Sequence, residues 1–364
     1  MRYALILGLG LISHAPAATV PSDATLLRDA RACAAPDARA GENWPAVVIK
    51  PSYKEYVDFG LNKFKTTPPN YWVALQAQYD PFGSYLNYHA KTVFRDSAAM
   101  KMDDQGLPTV KYANGTFHYN PVTMAQFVLH QHSRMVKGFK DAEALMIAGT
   151  DKLLELQDDQ GAFRYDFEYK ASAHTFKPGW VSGMAQGQAL SALARAYRVT
   201  NDTRYLVAGN KALRFGLLRV ADGGTLTDMS TLDKSLKRFL FLDEYPAAPS
   251  TYTFNGFMFG MLGFYDWSVL RAGQTDGTLA KAYFDCFANT LEHITPYYDI
   301  GGFTSYDMGF ITAGTKPNPS TDYHGAHIYL LHALYTVTKN PMLEAYREKY
   351  RGYITTDPLM FFTR

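Results

Sequence analysis

The sequence predicts a mainly α fold: an (α/α) barrel or toroid of helical hairpins, with a small N-terminal β-hairpin arm. Three observations predict it. From residue 120 onward, four segments share one plan, a Tyr- or Trp-bearing turn leading into a helix of small residues. They are YNPVTMAQFVLHQHSRM from Tyr119, WVSGMAQGQALSALARAY from Trp180, TFNGFMFGMLGFYDW from Thr253 and DYHGAHIYLLHALYTVT from Asp322. Their starts lie roughly 60–70 residues apart, room for two helices and their loops, as in stacked helical hairpins. Second, Gly256, Gly260 and Gly263 fall on one helical stripe. Glycine is costly in a helix, so the stripe implies another backbone at close range. Third, Asn114-Gly115 sits between two partly alternating apolar runs, a hairpin signal. If the helical repeats do not close on themselves, the same pattern gives an open solenoid.

Taken in order, Arg2 precedes an apolar run from Ala4 to Ile12, and Ala15-Pro16-Ala17 reads as an A-x-A cleavage site. Residues 1–18 are therefore expected to be a signal peptide, and the mature protein periplasmic or secreted. No stretch is long and uncharged enough for a membrane span. Residues 19–45, rich in Ala, Asp and Pro, read as a linker, and residues 46–119 as a strand-rich arm. Residues 120–364 form the toroid. Cys33 and Cys286 are the two cysteines, so one disulfide is permitted in an oxidising compartment and none is required.

Composition narrows the function. The 364 residues are 47% hydrophobic, enough for a large core, and 36 basic against 34 acidic residues leave a net charge of +2. That balance carries no footprint for nucleic acid. Aromatics make up 15%, with 26 Tyr and 23 Phe, and a flat ring with a polar tip suits carbohydrate as well as core packing. No G-x-G-x-x-G or P-loop is present, so no nucleotide cofactor is expected. His130, His132, His324 and His327 stand beside no carboxylate at a ligand spacing, so no metal is expected either. The oligomeric state is left open, a homodimer included.

The residues that can do chemistry cluster at turns. Glu244 and Tyr245 sit in a turn bounded by Pro246 and Pro249, ahead of Asn255, which reads as a cap for the glycine-striped helix. Tyr306 and Asp307 lie in a glycine-marked loop, and Asp322, Tyr323 and His324 at a helix start. Asn120, Gln126, Gln186, Gln188 and Asn255 place amides near helix N-termini, and Trp180 opens the second repeat. On a closed ring these N-termini converge on one cleft. A carboxylate, phenols and amides there suit proton transfer at a carbon next to a carboxylate, as at C5 of a uronic acid. A base takes the proton, donors steady the enolate-like charge, and a phenol returns a proton from the other face. Return from that face is epimerisation; loss of the 4-O substituent is a lyase reaction. A non-catalytic carbohydrate-binding protein is the reading from another class.

Together, YNPVTMAQ, GWVSGMAQGQALSALARAY, EYPAAPSTYTFNGFMFGMLGFYDW, the Ser305–Asp307 SYD and DYHGAH resemble the D-glucuronyl C5-epimerases, which act on heparosan and heparan sulfate precursors. The resemblance covers roughly residues 118–340, with the blocks in the same order. It implies an (α/α) barrel and an isomerase acting on an acidic polysaccharide. It also implies Glu244 as acid/base at C5, Tyr323 serving the opposite face, Tyr245 and Tyr306 as essential neighbours and Tyr119 lining the cleft. The expected substrate-binding set is then Tyr119, Asn120, Gln126, Trp180, Gln186, Asn255, Asp307 and His324. Two departures stand out. The animal enzymes carry an arginine three residues after the SYD-type tyrosine, where this chain has Gly309. They also carry a β-sandwich between the first and second blocks, where this chain has only about 45 residues. With Gly309 in that place, neutralisation of the substrate carboxylate falls to His324, Asn255 or an arginine of another loop.

Overall fold

The computed structural model describes residues 20–36, 44–66, 75–91 and 93–354; the predicted signal peptide lies outside them. The chain opens with α1 (Asp23–Ala34), α2 (Lys54–Thr66) and the one-turn α3 (Tyr88–Lys91). A three-stranded antiparallel sheet follows: β1 (Met100–Met102), β2 (Pro108–Lys111) and β3 (Phe117–His118). Four helical hairpins then build the body: α4 (Pro121–Val136) with α5 (Ala142–Leu156), α6 (Gly183–Thr200) with α7 (Thr203–Gly216), α8 (Phe254–Leu270) with α9 (Thr275–Ile294), and α11 (Thr321–Thr338) with α12 (Pro341–Tyr353). Two small hairpins, β4 (Tyr169–Ala171) with β5 (His174–Phe176) and β6 (Leu226–Asp228) with β7 (Leu240–Leu242), and the one-turn α10 (Gly309–Thr312) lie between them. Among the described residues no helix is long and apolar enough to cross a membrane.

Each repeat contributes one inner helix, and α4, α6, α8 and α11 touch in that order around a toroid-like array. Two of the hairpin turns are built alike. Asn201 after α6 and Lys339 after α11 adopt the left-handed conformation that ends a helix, and Asp202 and Asn340 cap the helix that follows. The two central inner helices pack backbone to backbone. A Cβ built on Gly263 would overlap the Gly187 carbonyl of α6, and one on Gly187 would overlap Gly260. That close approach is the reason for the glycine stripe.

The gap between α11 and α4 is spanned by residues 75–91. Gln78 Nε2 donates to the Thr336 carbonyl at 2.9 Å and the Tyr79 amide to Thr336 Oγ1 at 3.0 Å, both on α11. Toward α4, the Tyr85 amide donates to Ser133 Oγ at 3.0 Å. A fully buried ion pair, Arg195 of α6 to Asp266 of α8 at 2.6 Å, holds this segment in place. Tyr79 Oη also donates to Asp266, and Arg195 donates to the Gly83 and Asp80 carbonyls.

Two segments differ from the sequence reading. The linker of residues 19–45 contains α1, which packs on α9 and is joined to it by the Cys33–Cys286 disulfide. Leu26, Ala30 and Cys33 lie on its buried side, a helical spacing that the Ala-rich composition hid. Among the described residues of the 46–119 arm, the regular structure before residue 100 is helical. Pro51 starts a turn that runs into α2, where Val57, Gly60 and Phe64 share a buried face. Only its last part is sheet. There β2 and β3 pair around the Asn114-Gly115 turn, with Lys111 opposite Phe117 and Gly115 at φ +84°.

Candidate active site

The first turns of the four inner helices open into one cleft of about 260 Å³. Its wall takes Asn120, Val122, Thr123 and Gln126 from α4 and its cap, Ser182 and Met184 from α6, Asn255 and Phe259 from α8, and Tyr323 and Ala326 from α11. The positive ends of four helix dipoles therefore face the same space. Asn120 accepts from the Thr123 amide and Ser182 from the Ala185 amide, whereas α8 and α11 begin without a side-chain cap. Asn255 is not the cap expected of it. Thr253 occupies that place, and Asn255 sits inside the first turn with its Oδ1 buried and unpartnered.

Glu244 follows β7 and is only 6% exposed. Its turn is tied to α6 by the Gly183 amide, which donates to the Asp243 carbonyl at 2.8 Å. Ser250 Oγ in turn donates to Asp243 Oδ2 at 2.6 Å. Tyr306 Oη lies 3.4 Å from both Glu244 Oε1 and Tyr245 Oη, and the Tyr306 and Tyr323 rings meet at 4.4 Å. Burial pushes the Glu244 carboxyl up to about 8; hydrogen bonds from Tyr245 and Tyr306 pull against that, and the nearby Asp243 and Asp307 reinforce it. Burial also holds the Tyr245 and Tyr306 phenols well above their ordinary value, so both remain donors. Glu244 and Tyr323 line the same cleft, and Tyr323 is 38% exposed.

Of the expected binding set, Asn120, Gln126, Trp180 and Asn255 line the cleft. The others serve the fold. Tyr119 turns away: its hydroxyl donates to Asp103 and the Lys152 ammonium lies 4.8 Å over its ring. Gln186 is a buried tie, accepting from the Phe163 amide at 2.9 Å and donating to the Gly161 and Ala212 carbonyls. Asp307 is buried between the Ser172 hydroxyl and the Gly309 amide. His324 is fully buried, accepts at Nδ1 from the Thr304 amide, faces the Tyr350 carbonyl with Nε2 and stacks on Phe303 at 4.0 Å. Burial pushes its imidazole down to about 3, so it stays neutral and cannot neutralise a substrate. Among the described residues that line the cleft there is no Arg, Lys or His. Gly309 is packed against Thr315 and Asp307.

Sequence reasoning missed the aromatic wall. Tyr165, Phe167 and Tyr169 line the cleft with Tyr112. Tyr165 stacks on Trp180 at 3.7 Å, Trp180 on Tyr169 at 5.6 Å and Tyr169 on Tyr245 at 5.8 Å. Trp180 therefore belongs to a set of near-parallel rings, with Tyr165 and Tyr169, that packs against Tyr245. The signal was present in GAFRYDFEY, where aromatics recur at Phe163, Tyr165, Phe167 and Tyr169 with the period of an extended strand.

A toroid-like helical array whose inner N-termini enclose a buried carboxylate and its phenols defines the class: a helical scaffold with an acid–base cleft. Comparison with known proteins narrows it. The family model described as D-glucuronyl C5-epimerase C-terminus matches residues 157–352, and the chain belongs to that family. The chain is 31% identical to the D-glucuronyl C5-epimerase of Caenorhabditis elegans over 57% of its own length and 34% of that protein's. It is 27% identical to an uncharacterized protein of Methanocaldococcus jannaschii over 52% of its length and 56% of that protein's. The chain thus spans about a third and about half of these relatives. A solved polysaccharide lyase is 11% identical with a TM-score of 0.39, covering 91% of this chain and 84% of its own; at that score the likeness bears on neither fold nor activity.

Proposed function

We propose that the chain is a hexuronyl C5-epimerase that converts D-glucuronate to L-iduronate units within a polysaccharide. The observation that carries this is the shared cleft of Glu244 and Tyr323, with the Glu244 carboxyl raised to about 8. A carboxylate of that basicity is a stronger base than an ordinary one at the pH where it works. Ionised Glu244 takes the C5 proton, and the electron pair moves onto the uronate carboxylate as an enolate. Helix N-termini and the amides of Gln126 and Asn255 steady that charge. The Tyr323 phenol gives a proton to C5 from the opposite face. Its partial exposure lets water restore that proton, while Glu244 gives up its own. Tyr245 and Tyr306 position Glu244 and hold it by hydrogen bonds. The family membership supports the chemistry.

We place the mature protein outside the cytoplasm, a reading supported by the N-terminal apolar run and the disulfide between α1 and α9. The function is tested by NMR on a glucuronate-containing polymer in heavy water. Deuterium at C5 without chain cleavage is the expected result. Absorbance from a 4,5-double bond would identify a lyase instead, and binding without exchange a non-catalytic protein.

A further inference from the structure

Two histidines of α11, His324 and His327, are fully buried and take no part in the reaction described above. Both bond to one side chain of the loop before α10. Thr304 Oγ1 lies 2.8 Å from His324 Nδ1 and 2.8 Å from His327 Nδ1, and the Thr304 amide donates to His324 Nδ1 at 3.2 Å. Counting hydrogens fixes the pattern. His324 Nδ1 accepts, so its hydrogen is on Nε2, which donates to the Tyr350 carbonyl at 3.1 Å. The Thr304 hydroxyl has one hydrogen, which points at His324 Nδ1. Its oxygen then accepts from His327, which carries its hydrogen on Nδ1. Burial lowers both imidazoles well below their ordinary value, so they stay neutral in these opposite tautomers.

A second observation concerns the far side of His327. Its Nε2 is buried with no hydrogen-bond partner, and its ring lies 4.7 Å from Phe254 of α8. A bare buried acceptor is costly, and an apolar ring would fill the same place without that cost. What an apolar ring lacks is the Nδ1 donor that holds Thr304. That residue stands two positions before Tyr306, and His324 directly follows Tyr323. The Tyr306 amide donates to the Asn318 carbonyl at 2.8 Å, and its carbonyl accepts from the Phe254 amide at 3.1 Å. Tyr306 is thereby set against α8 by its main chain and against α11 through Thr304. Its phenol meets Glu244 on one side and the Tyr323 ring on the other.

We propose that Thr304, gripped by His324 and His327, is a positioning residue that holds Tyr323 in register with the Glu244–Tyr306 side of the cleft. This rests on the epimerase reading above. With the bridge intact, the C5 carbanion takes its new proton from Tyr323 and becomes L-iduronate. With the bridge broken, Tyr323 is off line, and Glu244, after exchange with solvent, returns a proton to the face it came from.

The test reads that partition in heavy water on an alternating glucuronate–N-acetylglucosamine polymer. Early in the reaction, deuterium enters C5 with inversion, giving L-iduronate, or with retention, giving deuterated glucuronate, and NMR counts both. Thr304→Val removes the hydroxyl at nearly constant shape. It should lower the ratio of inversion to retention by roughly tenfold or more, and Thr304→Ser should recover most of that loss. His327→Phe keeps a ring beside Phe254, loses the donor and should act in the same direction. The ratio counts only turnover by folded molecules, so a loss of stability alone leaves it unchanged. An unchanged ratio in either variant overturns the proposal and leaves the epimerase reading in place. Nitrogen NMR of the native imidazoles that finds His327 protonated at Nε2 also overturns it. No C5 exchange by the native protein sinks the epimerase reading and the positioning role with it, while the same imidazole spectrum still reports whether the hydroxyl bridge is made.

Discussion

The carboxylate of Glu244 lies directly over Gly256, in the first turn of α8. A Cβ built at residue 256 would overlap Glu244 Oε2 and press on its Cβ. One member of the glycine stripe thus serves the site, while Gly260 and Gly263 serve packing against α6. Gly256→Ala should displace the carboxylate and lower the rate of C5 exchange by about 100-fold, the scale of an ångström-sized misplacement. A near-normal rate in that variant would show that the carboxylate has room to move without loss.

Glu244→Gln should abolish C5 exchange and leave the circular dichroism spectrum unchanged. In the native protein the rate should rise with pH and level off above about 8, because the base acts in its ionised form and burial raises its carboxyl to about 8. A rate–pH profile that is already flat at pH 6 would assign the proton transfer to another group.

The same burial shapes stability. Asp243 is raised to about 7 from 3.8 and Glu244 to about 8 from 4.5. The folded state therefore binds more protons than the unfolded chain between those values. The stability these two carboxyls contribute is full below about pH 4 and is lost as pH rises toward 8. Melting temperature should fall across that range, and Glu244→Gln should flatten part of the slope.

Tyr323→Phe removes one hydroxyl from a partly exposed ring. Exchange from the Tyr323 face should fall by roughly 100-fold or more, the usual contribution of a positioned acid. Affinity measured with the same polymer should change little. Unaltered exchange would take Tyr323 out of the reaction.

Arg195→Met should destabilise the protein by about 3–5 kcal/mol, because it strands the buried Asp266 charge. Arg195→Met combined with Asp266→Leu should recover most of that loss in a denaturant titration. Failure of the double variant to recover would mean that the carbonyls of Asp80 and Gly83, now without their donor, matter more than the ion pair.

The repeat, the inner helices and the Glu244–Tyr245, Tyr306 and Tyr323 turns were all legible in the sequence. Each rests on local information: helical spacing, glycine stripes and turn residues. The helix α1 was not, because its buried face is short and its context Ala- and Pro-rich. Nor were the different fates of chemically similar residues. Gln126 faces the cleft while Gln186 is consumed by three backbone partners, and Tyr323 faces it while its neighbour His324 is locked between Thr304 and Tyr350.

By itself, the sequence determined the helical class, the period of the hairpins and the chemical kit at their turns, since periodicity and turn chemistry act over a few residues. Only the tertiary structure decided which polar groups point inward and how the ring is bridged by residues 75–91. It alone also showed that the cleft wall carries no cation among the described residues. Those outcomes depend on contacts between residues far apart in the chain, such as Glu244 over Gly256 or Tyr79 on Asp266, and on the burial those contacts create.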